Sequence, residues 1–248
     1  MREPSELWIP RRRLPNVTAL LCFPSAGGTA ASFSDWKPLA LPDFEIVPLK
    51  LPGRGVRLRE PMPESMTQLV EAMGQALGPI LPASYCVFGQ CLGGILAYEF
   101  VRWIGQQSFA KPKHLFVSGC GAPLTEARKV LSQLDEEGLI RQLRAWGGTP
   151  DEMLERRDFL ELMLPSVRAD LRLFEHYTFA PEPQLTIPIT ALRGVSDSHV
   201  NPESLVGWRD CTTGPCVAAE VEGAHFPAPA VLLAAIRARF WDPSEVRR

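Results

Sequence analysis

The chain lacks any apolar run approaching the roughly 20 residues that a membrane-spanning helix requires. Its first sixteen residues also lack the apolar stretch of a secretory signal, so a cytoplasmic protein is expected. It has no basic stripe either. Lys and Arg number 26 against 28 Asp and Glu, for a net charge of −2, which argues against nucleic acid as a main partner. The short Arg11-Arg12-Arg13 cluster reads as solvated. Six cysteines (Cys22, Cys86, Cys91, Cys120, Cys211 and Cys216) form no dense framework, and several fall within apolar runs. They read as reduced, mostly buried thiols. Cys211 and Cys216 lack C-x-x-C spacing and nearby ligands, so neither a zinc site nor any other metal or cofactor is expected. Repeats and low-complexity tracts are missing as well.

What is present is enough for one substantial core: 248 residues, 46% of them hydrophobic, read as a single domain spanning 1–248. Short apolar runs at 17–23, 44–49, 85–88, 115–118, 189–192 and 217–221 alternate with helical patterns, which predicts a mostly parallel α/β sheet flanked by helices. Ser65 with Gln68 forms a capping box, Asn201-Pro202 marks another helix start, and a last helix is expected at 228–240. One stretch breaks the alternation. Residues 122–184 carry no strand signal but have helix starts at Ser132-Gln133-Leu134-Asp135 and Thr149-Pro150-Asp151-Glu152, then a long helical pattern over 158–177. This is too long for an ordinary crossover and too helical for a loop, so it reads as a helical lid.

Chemistry concentrates at Gly89-Gln90-Cys91-Leu92-Gly93, a nucleophile-elbow spacing with sulfur in place of a hydroxyl. A residue on a sharp strand-to-helix turn is strained, and side chains two positions away would clash with the incoming strand and outgoing helix. The alternative is a Gly-rich connection holding a small buried cysteine. An elbow demands an acid and then a histidine further along the chain. Asp197 follows the run at 189–192, and His225 follows the last apolar run in Val221-Glu222-Gly223-Ala224-His225-Phe226. His199 competes only by proximity to Asp197, since acid and base should come from different loops. His114 and His176 read as structural.

With these blocks in view, the chain resembles the type II thioesterases of the α/β-hydrolase fold that accompany polyketide synthases and non-ribosomal peptide synthetases. The resemblance rests on Phe23-Pro24-Ser25-Ala26-Gly27-Gly28, Leu51-Pro52-Gly53-Arg54, Leu143-Arg144-Ala145-Trp146-Gly147-Gly148-Thr149-Pro150, Leu164-Pro165-Ser166-Val167-Arg168-Ala169-Asp170 and Gly223-Ala224-His225-Phe226. It spans about 20–240. The family elbow reads G-H-S-x-G, whereas Gln90 and Cys91 stand here. The resemblance implies a thioesterase that acts on acyl groups carried on the phosphopantetheine arm of an acyl or peptidyl carrier protein. It also implies a Cys91–His225–Asp197 triad and an oxyanion hole from the backbone N–H groups of Leu92 and Ala26. A monomer is expected.

A thiol beside a histidine and at a helix N-terminus tends to ionise. Its acyl-enzyme would itself be a thioester, suited to passing the acyl group onward as well as to hydrolysis. An acyl or aminoacyl shuttle between carriers through Cys91 therefore stands as an alternative, as does a non-catalytic binding protein. A serine replaced by cysteine to slow turnover would leave the same sequence. Arg141, Arg144 and Arg168 read either as a face for an acidic carrier or as solvated helix surface. Leu160, Met163, Leu164 and Phe174 read either as an acyl chamber or as core.

Overall fold

The computed structural model describes residues 4–10, 14, 16–124 and 130–240; the Arg11-Arg12-Arg13 cluster lies outside them. All six expected strands form: β1 Thr18–Phe23, β2 Phe44–Pro48, β3 Tyr85–Gln90, β4 Leu115–Ser118, β5 Ile189–Gly194 and β6 Cys216–Val221. They make one sheet in the order β2-β1-β3-β4-β5-β6, with every neighbouring pair parallel. Around it lie α1 Pro4–Trp8, α2 Trp36–Ala40, α3 Met66–Leu77, α4 Leu92–Gly105, α5 Glu136–Trp146, α6 Asp151–Leu154, α7 Arg157–Glu175, α8 Pro202–Val206 and α9 Pro229–Phe240.

The central strands are largely apolar because both sheet faces are covered there, whereas the edge strand β6 is only partly buried and exposes Glu220. Leu21, Phe23, Val87, Val117 and Ala191 face a core shared with α3 and α4. Their neighbours Leu20, Cys22, Phe88, Phe116 and Leu192 face a second core with Trp36 of α2 and Leu232, Leu233 and Ile236 of α9. The helix starts read from sequence are made by the expected side chains. Ser65 accepts from the Gln68 N–H, the forward half of the expected capping box, and Asn201 accepts from the Glu203 N–H with Pro202 opening the helix.

Between β4 and β5 run α5, α6 and α7. Asp135 caps α5 by accepting the Gly138 N–H, whereas α6 starts after Pro150 with no side-chain cap. The long helix stops at Glu175, two residues short of the expected end. Tyr177 leaves the helical path, and its hydroxyl donates to the Glu99 carboxylate of α4. The inserted helices enclose a core of their own, with Leu139, Leu143, Leu154, Leu160, Leu164, Val167 and Leu171 buried together.

Parallel pairing puts all strand carboxyl ends on one edge. The chain leaves β1 toward β2 on one side but returns to β3 on the other, which opens a crevice at that edge. The Gly-rich loop, Cys91, Asp197 and His225 follow β1, β3, β5 and β6 respectively, so each belongs to that edge.

Candidate active site

Cys91 sits between β3 and α4 with φ 54° and ψ −126°; among the described non-glycine residues only Asn16 shares a positive φ. Two short bonds hold this strain: the Cys91 N–H donates to Ser118 O at 2.8 Å, and the Gly94 N–H donates to Cys91 O at 2.8 Å. The flanking glycines are required by close backbone approach. A Cβ on Gly89 would lie 2.3 Å from Gly93 O, at the outgoing helix as the spacing argument expects. One on Gly93 would lie 2.4 Å from the carbonyl oxygens of Phe23 and Pro24. That second clash is with the end of the neighbouring strand β1, not with the incoming strand.

Asp197 and His225 are brought together from separate loops. The His225 ring Nδ1 lies 3.0 Å from Asp197 Oδ2, and the other carboxylate oxygen accepts from the N–H groups of His199 at 2.8 Å and Val200 at 3.3 Å. With a carboxylate as partner, Nδ1 carries the hydrogen and donates it. Both side chains are buried. Burial pushes the Asp197 carboxyl up, but the bond from His225 and the two backbone N–H groups outweigh it and hold the group below the usual carboxylate range. Burial likewise pulls His225 down, yet its bond to Asp197 and its interaction with Cys91 push it up to about 10. Its Nε2 is buried and makes no hydrogen bond of normal geometry among the described residues; the Cys91 thiol acts on the ring from nearby. Gly119 makes room for the histidine, since a Cβ there would lie 2.8 Å from His225 O.

The other histidines separate as expected, with one addition. His114 is buried, bonded to Thr190 Oγ1 at 2.9 Å and stacked on Phe116, and burial lowers it to about 4. His176 ends α7, beside a separate cavity between α3, α4 and α7. His199 is exposed, but its ring Nε2 lies 3.0 Å from Ala145 O in α5, and its ring meets that of His225 edge-on at 5.4 Å. It therefore joins the acid loop to the inserted helices, a role the sequence did not suggest.

Cys91 opens into a cavity of about 460 Å³ whose floor is the Gly-rich loop at 25–29 and whose walls are Leu143, Trp146, Met153, Phe159, Leu162 and Met163 of the insertion. Ala26 shares this cavity with Cys91, while Leu92 lies behind the nucleophile as the first residue of α4, where an N–H has no helical acceptor. Of the four lid residues left open above, Met163 lines the cavity, Leu160 and Leu164 fill the insertion core, and Phe174 packs on the main core. Arg168 is not solvated helix surface: it donates to the carbonyl oxygens of Ser132 and Leu134 and ties α7 to the approach of α5. Arg144 pairs with Asp151, and Arg141 with Glu137, both at the surface.

Sequence reasoning missed a buried pair at the cavity, one member of which, Arg54, lines it. Arg54 donates through both terminal nitrogens to Asp170 of α7, with Nη2 to Oδ1 at 2.7 Å, and Asp170 Oδ2 also accepts the Gly27 N–H at 2.8 Å. Both partners stood in quoted motifs. They lie 116 positions apart, however, and no local spacing links them. Among the described residues no cluster of His, Cys, Asp and Glu could hold a metal ion, and no helix is long and apolar enough to cross a membrane.

A parallel sheet that carries an elbow cysteine and an acid–histidine pair on one edge, under inserted helices, defines an α/β-hydrolase-fold enzyme. Comparison with known proteins narrows the class. The thioesterase domain family matches residues 18–237. Thioesterase PikA5 of Streptomyces venezuelae is 33% identical over 90% of this chain and 80% of its own length. The solved structure of RedJ, a thioesterase of the prodiginine pathway in Streptomyces coelicolor, aligns with a TM-score of 0.82 at 36% identity, over 88% of this chain and 89% of its own. YbtT, a type II thioesterase of the yersiniabactin NRPS/PKS pathway, aligns with a TM-score of 0.77 at 28% identity, over 95% and 94%. The chain belongs to the thioesterase domain family, enzymes that hydrolyse thioester bonds.

Proposed function

We propose that this enzyme is a type II thioesterase of polyketide or non-ribosomal peptide biosynthesis. It releases acyl groups held as thioesters on the phosphopantetheine arm of carrier proteins. The observation that carries this reading is the Asp197–His225 pair, set beside the strained Cys91 at the mouth of an apolar cavity. The Cys91 sulfur attacks the thioester carbonyl as its proton passes to His225 Nε2. That transfer is favoured by the ring's raised proton affinity and by Asp197, which fixes Nδ1 as the donor. The tetrahedral oxyanion is held by the N–H groups of Leu92 and Ala26, and each such donor contributes on the order of 3 kcal/mol. Its collapse breaks the bond to the pantetheine sulfur, which leaves with the proton from His225. Water then attacks the acyl-Cys91 thioester, gives a proton to His225 and releases the free acid, and the thiol is restored.

Intact-protein mass spectrometry tests this scheme. The enzyme is mixed with an acyl-loaded carrier protein and an unloaded second carrier, beside Cys91→Ser and Cys91→Ala. The expected result is free acid, transient acyl mass on Cys91 and two unloaded carriers. Acyl mass on the second carrier would make the enzyme a transferase, and no acyl mass on Cys91 at any time would overturn covalent catalysis.

A further inference from the structure

We propose that Asp170 is a positioning residue for thioester cleavage: through it, the lid helix α7 sets the loop that carries the Ala26 N–H. The inference rests on the reading of Cys91 as nucleophile and Ala26 as oxyanion donor. The loop at 25–28 is a tight turn, closed by the Gly28 N–H donating to Ser25 O at 2.9 Å, with Gly27 at φ 69°. A positive φ at the third position marks a turn whose central peptide can roll over while its ends stay in place. That central peptide joins Ala26 to Gly27, and its N–H is the one that Asp170 Oδ2 accepts at 2.8 Å. Rolled over, it would turn the Ala26 carbonyl toward a buried carboxylate, so the negative charge selects one orientation. This fixes the peptide that follows Ala26 and, with the Gly28–Ser25 bond, ties to α7 the turn on which the Ala26 N–H is carried.

Asp170 is itself held in place. The Arg54 fork takes both carboxylate oxygens, each side chain is only 4% exposed, and Arg54 Nε is anchored on Pro52 O at 3.3 Å. One helical turn earlier Val167 seats on the same loop: a Cβ on Gly27 would lie 2.3 Å from Val167 Cγ2. Glycine at 27 thus permits both the turn and the close approach of α7. A pair that merely stapled the lid would not need the peptide N–H of the loop as a third partner.

The test separates positioning from stability. In Arg54→Met/Asp170→Leu both buried charges go and volume is kept, a change that commonly leaves stability intact; Asp170→Asn keeps an acceptor but not the charge. Turnover of an acyl N-acetylcysteamine thioester, affinity for the matching acyl aldehyde (which forms a tetrahedral adduct on the thiol) and the rate of Cys91 alkylation by iodoacetamide are measured on folded protein. Expected for the double variant is a fall in kcat of about 10–100-fold with KM within about threefold, and a parallel loss of aldehyde affinity. Alkylation, which forms no oxyanion, is expected to stay near wild type, and Asp170→Asn to fall between. A folded double variant with wild-type kcat and aldehyde affinity would overturn the proposal, as would alkylation that falls in step with kcat. Failure of the underlying reading shows separately, as a wild type that never acquires acyl mass on Cys91.

Discussion

The two halves of the site are built by different means. The sheet-borne half holds Cys91, Asp197 and His225 on short loops fixed by backbone. The Cys91 N–H bonds to Ser118 O, and the Ser196 N–H bonds to Gly223 O at 2.9 Å, which ties the acid loop to the histidine loop. The lid-borne half rests on its own apolar core and on side-chain ties, Arg168 to Ser132 and Leu134, Glu175 to the N–H groups of Leu131 and Ser132, and Asp170 to Arg54 and Gly27. Backbone anchors survive most substitutions, whereas side-chain anchors are lost with one. The groups proposed to react are therefore fixed firmly, and the chamber beside them is free to vary.

The sharpest way to expose that contrast is to remove the reacting group. Cys91→Ala is expected to lower kcat/KM at least about 10³-fold, since loss of a nucleophile takes most of the acceleration with it. Its melting temperature should stay near wild type because every backbone anchor remains. Asp197→Asn should cost about 10²–10⁴-fold in kcat by losing the charge that orients His225; a change in KM alone would contradict that role. Leu143→Ala attacks the other half. It empties part of the insertion core and is expected to destabilise by about 2–3 kcal/mol. Hydrogen exchange should quicken in α5–α7 while β1 and β3 stay protected, and equal loss in both regions would deny the lid its separate core.

The last prediction concerns pH. A folded-state value of about 10 for His225, above its ordinary 6.5, means that the folded state binds the proton more tightly. The stabilisation is complete below pH 6.5 and is lost as pH rises through about 10. The melting temperature of the wild type should therefore decline over that window more steeply than that of His225→Gln.

How far the sequence could be read follows the same division. The elbow, the acid and the histidine are marked by neighbours along the chain, and glycines at 89, 93 and 223 announce turns that only a few backbones can make. The strands were visible for a related reason: burial on both faces makes the central ones short apolar runs, and even the edge strand β6 keeps mostly apolar residues. The Arg54–Asp170–Gly27 contact joins two loops and the helix α7, which meet only after folding, so no window of sequence contains it. His199 is exposed, but its link to the lid was not legible, because the ring of His225 and the carbonyl of Ala145 reach it from elsewhere in the chain. The lid helices were legible as helices, but whether Met163 lines the chamber and Leu164 fills the core depends on rotation about one axis.

The separate core of the insertion also bears on how the chain reaches its native state. β4 must pair with β5, Leu115 against Ile189, across about 70 intervening residues, and closing so long a loop is entropically costly and slow. Leu139 to Leu171 can find one another within that stretch before the strands meet. A lid core that collapses first shortens the tether, so the packing that later supports the cavity's walls also draws β4 and β5 together.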